Sequence, residues 1–425
     1  MKYHFVGICG ISMSALAVHL RNSGHIVQGS DINHGDMAKN LEAEGIKVFA
    51  QHNKNNIKDC DVLVYNFAID ENNEEIVYAK QNNIKIISRA ELLEEISKEY
   101  KNVIAIAGSH GKTTTVAMMY SCLKSAKLNP TLHIGGIIEA QKFGYVEGDK
   151  NYFVTEACEF HNSFLALKPD IGIILNIEPE HLDYFKTFDN EVNSYIKFAN
   201  NCKDVIVTQD LSGFENITTN ICAKNIELVN HRYHFDVYID SEYFMHIDLN
   251  ILGKYNIQNA LCVIAACKKL GISKQYIYLG LKNAANTKRR FEVINTKPVL
   301  LVHDYAHHPT QVEKTIATFR ECCSGKILVV FQPHTYSRTK AFFNQFLDCF
   351  NCADEIFILK TYAAREKYDR NASAFMLYKH LKNKKKCRYF ADFKRAKKAV
   401  QSEIDKGFNV IFLGAGDIDE LAYTF

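Results

Sequence analysis

Residues 105–115 read AIAGSHGKTTT, an apolar run that turns through Gly108 and Gly111 ahead of a helix pattern starting near Lys112. A glycine turn between strand and helix offers successive backbone N–H groups and a helix N-terminus, a cradle for phosphate oxygens. Ser109, His110 and Thr114 share that turn. Lys112 would neutralise a terminal phosphate, and the Thr113 hydroxyl would ligate Mg2+. The full phosphate-loop spacing wants a glycine at 106, where Ile106 stands, so the loop is a shortened G-x-x-G-K-T. The plain alternative is a turn with a surface lysine.

Acids and an imidazole follow. TEACE puts Glu156 and Glu159 at the end of a strand over 152–155, and NIEPEHLDYF puts Glu178, Glu180, His181 and Asp183 past a strand over 171–177. In a parallel sheet the strand C-termini share the edge that carries the phosphate loop. Such groups suit a divalent cation held against phosphates, with Glu156 and His181 the favoured ligands. Any one of them alone reads as a polar loop residue.

A second glycine turn, GICGISMSAL at 7–16, follows the first apolar run, and Met13, Leu16, Ala17 and Leu20 have helical spacing that would dock its helix on a sheet. Asp31 ends the next strand, where an acid could reach a ribose or base. Cys9 and Ser12 stand where a dinucleotide fingerprint has glycines, so alone the turn is as well read as structural. Two phosphate-type loops in separate blocks suggest two ligands, ATP and a nucleotide-carrying substrate. Late in the chain HDYAHHPTQ (303–311) and FQPHTYSRTK (331–340) each follow an apolar strand. Tyr305 can stack and Arg338 can grip a carboxylate or phosphate. Zinc is disfavoured there, since His307 and His308 would point apart. Lys288–Arg289–Arg290 is a charged linker or lends an arginine to ATP.

Three blocks must position these groups: 1–97, 98–287 and 288–425. Each alternates short apolar runs with helical patterns, which predicts parallel sheets with helices on both faces. The first block should contain strands at 3–7, 25–29, 46–50, 62–68 and 84–88. The third should contain them at 299–304, 326–331, 355–359, 388–390 and 410–413. A small antiparallel patch is expected at 231–252. The 425 residues are 47% hydrophobic and 23% charged, with a net charge of +3. That excludes a disordered chain and gives no argument for a nucleic-acid or membrane partner. The 13 scattered Cys read as reduced, mostly buried thiols rather than as a zinc or redox pair. With neither a secretory leader nor an apolar run of about 18 residues, a cytoplasmic protein is expected, monomeric or weakly homo-oligomeric.

The ordered set GICGISMSAL, ISRAELL, GSHGKTTT, EACE, NIEPEHLDYF, KYNIQNAL, KRRFE, DYAHHP, QPHTYSRT and GAGDI resembles the ATP-dependent Mur ligases of bacterial peptidoglycan synthesis, over nearly the whole chain. The resemblance implies an α/β protein of three domains: a Rossmann-like one for a UDP-sugar, a central P-loop ATPase-like parallel sheet, and a Rossmann-like third that closes over the site. It implies L-alanine and UDP-N-acetylmuramate as substrates. The lactyl carboxylate takes the γ-phosphate of ATP, and the amine of L-alanine attacks the acyl phosphate to give an amide, ADP and phosphate.

By the same resemblance Gly108, Ser109, His110, Gly111, Lys112, Thr113, Thr114, Asn259, Arg290, Asp304 and Tyr305 contact ATP. Thr113, Glu156 and His181 hold the metal, and His334 and Arg338 take the incoming alanine. Gly7, Cys9, Gly10, Ile11, Ser12, Met13, Ser14, Asp31 and His52 hold the UDP moiety. Lys112, Glu156, His181, His334 and Arg338 form the catalytic set. The chain departs from the family pattern at Cys158, Phe160 and His161 (EACEFH for EADESD), at Thr335, at Tyr255 and in VYNFAID (64–70). Two rivals remain: a ligase adding a peptide or another small amino acid to the same UDP-sugar, and a nucleotide-binding relative without turnover.

Overall fold

In the computed structural model, residues 1–138, 141–211, 213–214, 219–284, 287–364 and 366–425 are described, Leu182 and Asp183 by backbone only, so Asp183 as a ligand lies outside the described side chains. The chain forms two compact units, Met1–Ile251 with Asn256–Thr287, and Leu252–Tyr255 with Lys288–Phe425.

The first unit contains two parallel sheets. One has the spatial order Lys47–Phe49, Ile26–Ser30, Lys2–Val6, Val62–Tyr65, Lys85–Ser88, with the chain's first strand at its centre. The other runs Asp204–Ile206, Ile171–Ile174, Asn102–Ala107, Tyr152–Glu156, Thr131–His133, and ends on the antiparallel Tyr145–Val146. These strands are short runs of Val, Ile and Ala because helices cover both faces. Apolar residues of both sheets and of the helices on them, from Phe5 and Leu16 to Phe153 and Phe198, join in one core. Each glycine turn follows a central strand, at the edge where ligands of open α/β sheets bind.

A three-stranded antiparallel sheet, Ile221–Val229, Arg232–Ile239 and Glu242–Leu249, completes this unit. It starts ten residues earlier than the expected patch, because its first strand is a mostly exposed edge whose polar sequence hides its period. The second unit holds a six-stranded sheet, Glu292–Asn295, Leu301–Asp304, Asn409–Leu413, Ile327–Phe331, Glu355–Leu359, Cys387–Phe390. Its first strand, an antiparallel edge that alternates between half-buried and exposed positions, was not anticipated.

All thirteen cysteines are free thiols, and eleven of them are buried or half-buried. Against the expectation of scattered thiols, Cys349 and Cys352 have C-x-x-C spacing. Burial pushes the Cys349 thiol up, and it donates to the Phe346 carbonyl, the reverse of an activated thiolate. Among the described residues no helix is long and apolar enough to cross a membrane.

Candidate active site

The strand Asn102–Ala107 delivers the phosphate loop, and the helix Lys112–Ser125 leaves it. Gly111 caps that helix at φ +88°, a left-handed conformation that favours glycine, and no side chain caps the first-turn N–H groups. A Cβ at Gly111 would stand 2.9 Å from the Asn259 amide. Asn259 is itself held by donating to Asn256 Oδ1 at 2.9 Å. The loop is clipped from the neighbouring strand's end. Asn176 accepts from His110 N at 2.8 Å and donates to His110 O at 3.0 Å, while Ser109 N donates to the Asn176 carbonyl. Ser109 Oγ also exchanges hydrogen bonds with the backbone of Glu178.

Lys112 reaches back over the loop. Its ammonium donates to the Gly108 carbonyl and to both oxygens of Glu159, at 2.9 and 3.2 Å. Burial pulls the ammonium's pKa down, but the Glu159 carboxylate more than offsets this and holds it above its usual range. Glu159 is 2% exposed. One ligand atom from each of Glu159, Glu180 and His181 lies within 4.8 Å of the others. Behind them Glu191, fully buried, accepts from Glu180 N at 3.1 Å. Desolvation, with Glu159 and Glu180 nearby, raises its pKa to about 8.

Glu156 ends its own strand and accepts from Gly135 N at 2.9 Å, where a Cβ on residue 135 would collide with the carboxylate. Thr113 is buried, its methyl 2.8 Å from where a Cβ on Gly136 would sit. The rim fits a nucleotide polyphosphate with a divalent cation: uncapped N–H groups and an ammonium for the anion, carboxylate oxygens and an imidazole for the metal. Glu159 and Glu180 join His181 there, although the sequence favoured Glu156; the signal lay in the same two motifs.

The first glycine turn is organised differently. Gly7 lies at φ +80°, and its N–H and that of Ile8 donate to the Ser30 carbonyl. Both Asp31 oxygens are occupied by backbone, accepting from Cys9 N and Asn33 N at 2.9 Å each, so this acid shapes the turn. Gly10 and Ile11 are exposed, Cys9 and Ser12 half-buried, and Met13 and Ser14 buried in the helix. Ser12 Oγ lies 3.1 Å from His133 Nε2 and accepts from Arg89 at 3.3 Å. Arg89 opens a helix whose capping box, Ser88 with Glu91, fixes its start. This arginine stands in ISRAELL, where nothing in the local spacing assigns it a role.

His52 sits beside this turn, its Nδ1 2.8 Å from Ser30 Oγ and 3.4 Å from the fully buried Glu75. Two departures from the family pattern meet: Phe67 of VYNFAID stacks on His161 of EACEFH, centroids 4.7 Å apart and planes 9° from parallel.

In the second unit Asp304 is buried and accepts from Phe291 N and Ala306 N, both at 2.7 Å. Desolvation raises its carboxyl's pKa while Arg290 opposes the rise. Arg289 and Arg290 each place a guanidinium 4.9 Å from the Tyr305 ring centre, a cation–π pair on the predicted base-stacking residue. Tyr255, another departure, lies close enough to Asp304 and Arg290 to feel both charges. Arg338 approaches His334 Nδ1 at 3.1 Å, and burial with that guanidinium lowers the imidazole's pKa to about 4. Between them Thr335 holds φ +67°, strained for a β-branched residue.

Residues 2–101 match the Mur ligase family, catalytic domain; 106–267 the Mur ligase middle domain; 289–416 the Mur ligase, glutamate ligase domain. A Caldicellulosiruptor bescii protein named UDP-N-acetylmuramate–L-alanine ligase is 40% identical, the alignment covering 99% of this chain and 97% of that one. A Clostridium acetobutylicum protein of the same name is 39% identical over 100% and 97%. The crystal structure of the Thermotoga maritima UDP-N-acetylmuramate–alanine ligase superposes with a TM-score of 0.88 at 27% identity, over 100% of this chain and 98% of that one. With its three domain matches in order and its near full-length relatives, the chain belongs to the Mur ligase family.

Proposed function

We propose that this chain is an ATP-dependent amide ligase of the cytoplasm that joins L-alanine to the lactyl carboxylate of UDP-N-acetylmuramate in peptidoglycan-precursor synthesis. The observation that carries the reading is Lys112 on a glycine loop, faced by Glu159, Glu180 and His181 at one sheet rim. The choice of substrates rests on the named relatives aligned end to end.

A carboxylate is a poor acyl donor until one oxygen becomes a phosphate leaving group. The chain's part is to hold that phosphate and its charge. The N–H groups of residues 111–114 cradle the triphosphate, and Lys112 exchanges Glu159 for the terminal phosphate, where its charge counts most in transfer. Thr113, Glu156, Glu159, Glu180 and His181 are the proposed holders of Mg2+, which when bound neutralises phosphate charge. Asn259 supports the loop. Arg290, Asp304 and Tyr305 receive the nucleoside. Arg338 clasps the alanine carboxylate beside His334, whose depressed pKa keeps it uncharged at neutral pH. The turn Gly7–Ser14, shaped by Asp31, takes the UDP moiety together with His52 and Arg89, Arg89 as the cation for its diphosphate.

Phosphate release, measured with ATP, Mg2+ and UDP-N-acetylmuramate against each of the twenty amino acids and a muropeptide tripeptide, tests this reading. L-Alanine should give the highest kcat/KM. Release with the tripeptide and not with L-alanine would overturn it.

A further inference from the structure

We propose that the outward face of the three-stranded antiparallel sheet holds a site for one zinc-class divalent cation, formed by His234, His246 and Asp248. On the two strands Arg232–Ile239 and Glu242–Leu249, His234 pairs with Asp248 and Asp236 with His246. Two histidines and two aspartates therefore alternate at the corners of a square on one face. The residues between them, Phe235 and Ile247, point into the core.

The hydrogen bonds sort these groups into ligands and supports. Asp236 Oδ1 lies 2.8 Å from His246 Nδ1, which turns His246 Nε2 towards Asp248 Oδ1 at 3.5 Å. Tyr278 donates to Asp248 Oδ2 at 2.6 Å, and Lys282 lies on that oxygen's side at 3.6 Å. Asp248 Oδ1 is thus left towards His234 Nδ1, 2.7 Å away. One ligand atom from each of the three residues lies within 4.8 Å of the others.

A carboxylate on the far nitrogen of a histidine is the usual second support of a metal-bound imidazole. Two imidazoles and one carboxylate suit a borderline cation such as Zn2+, and not Mg2+. In a tetrahedral site ligand atoms stand about 3.3 Å apart. The His246–Asp248 separation already matches, and the His234–Asp248 contact must open by about 0.6 Å as the cation replaces the shared proton. His246 is half exposed, so water can complete the shell.

The test is Zn2+ titration of the full chain, stripped with chelator and free of nucleotide, in competition with a chromogenic chelator. His246→Gln should lose one equivalent of tight Zn2+, and Asp236→Asn should keep it with about 10–100-fold weaker affinity. Both should retain phosphate-release activity, since neither residue belongs to the nucleotide rim. Wild-type stoichiometry and affinity in His246→Gln overturn the proposal. So does 15N NMR of histidine rings in which added Zn2+ leaves His234 and His246 unmoved.

Discussion

Two fully buried glutamates, one under each sheet rim of the first unit, have their pKa values pushed in opposite directions. Glu75, beneath the first glycine turn, receives Ser30 Oγ, Asn53 N at 3.1 Å and Asn56 Nδ2 at 2.8 Å, with His4 Nε2 at 3.2 Å and His52 Nδ1 at 3.4 Å. Burial alone would raise its pKa, yet the bonds from His4, His52 and Ser30 hold it well below the carboxylate range. Glu191, beneath the phosphate-loop rim, has one backbone donor and an oxygen with no partner, and its neighbours Glu159 and Glu180 are acids. The carboxylate under the first rim is ringed by donors, and a ligand there meets preformed geometry. The second carries more negative charge than Lys112 can balance, an imbalance that a cation relieves.

Removing the lysine should break this contrast most. Lys112→Ala should cut ADP release that depends on both UDP-N-acetylmuramate and L-alanine by about 10³-fold. It also strands Glu159 without its cation, so thermal unfolding should show a loss of about 3 kcal/mol. Adding Glu159→Gln should restore much of the stability and none of the turnover. Wild-type turnover in Lys112→Ala would remove the phosphate loop from the mechanism.

The next test sets the two glutamates against pH. Glu191 titrates near pH 8 when folded against an ordinary value of 4.5, so its contribution is full below pH 4.5 and lost as pH rises towards 8. Glu191→Gln, which cannot ionise, should therefore gain on wild type across that window, by about 2 kcal/mol at pH 8. Glu75 has the opposite sign. Its depressed pKa stabilises the fold above the ordinary value of 4.5, and that contribution is lost as pH falls below it. Glu75→Gln should cost about 2 kcal/mol at pH 7, with the gap narrowing steadily as pH falls below 4.5. Parallel pH profiles for the two variants would show that the rims do not differ as described.

The parallel strands and the phosphate loop were legible because each is a local pattern: continuous apolar runs between helical periods, and glycines at fixed offsets from a lysine. Edge strands such as Glu292–Asn295 and Ile221–Val229 escaped or shifted because half their residues face water. Asn176 was hidden in NIEPEH, since nothing local says that its amide turns back to clip residues 109 and 110. Glu75 was invisible for a stronger reason. Its partners stand at positions 4, 30, 52, 53 and 56, and only the sheet order brings them together. Arg89 and Glu159 lay inside recognised motifs, but their roles depend on distances that spacing does not encode.

The smallest effect concerns the two departures that touch. Phe67 comes from the first sheet's rim and His161 from the segment after Glu159, so their stack ties the first rim to the second. Phe67 is 41% exposed, which limits what its burial alone contributes. His161 lies at φ +52° and is also flanked by Phe160 and Tyr184, at 4.3 and 4.5 Å between ring centres. Such a cluster holds a non-glycine residue in a left-handed conformation by packing. A double-mutant cycle of Phe67→Ala and His161→Ala should therefore give a coupling of about 0.5–1.5 kcal/mol in unfolding free energy. Because the stack spans two rims, the same cycle on KM for UDP-N-acetylmuramate should also be non-additive. Additive behaviour in both readouts would mean that the two sheet edges act independently and that the contact is incidental.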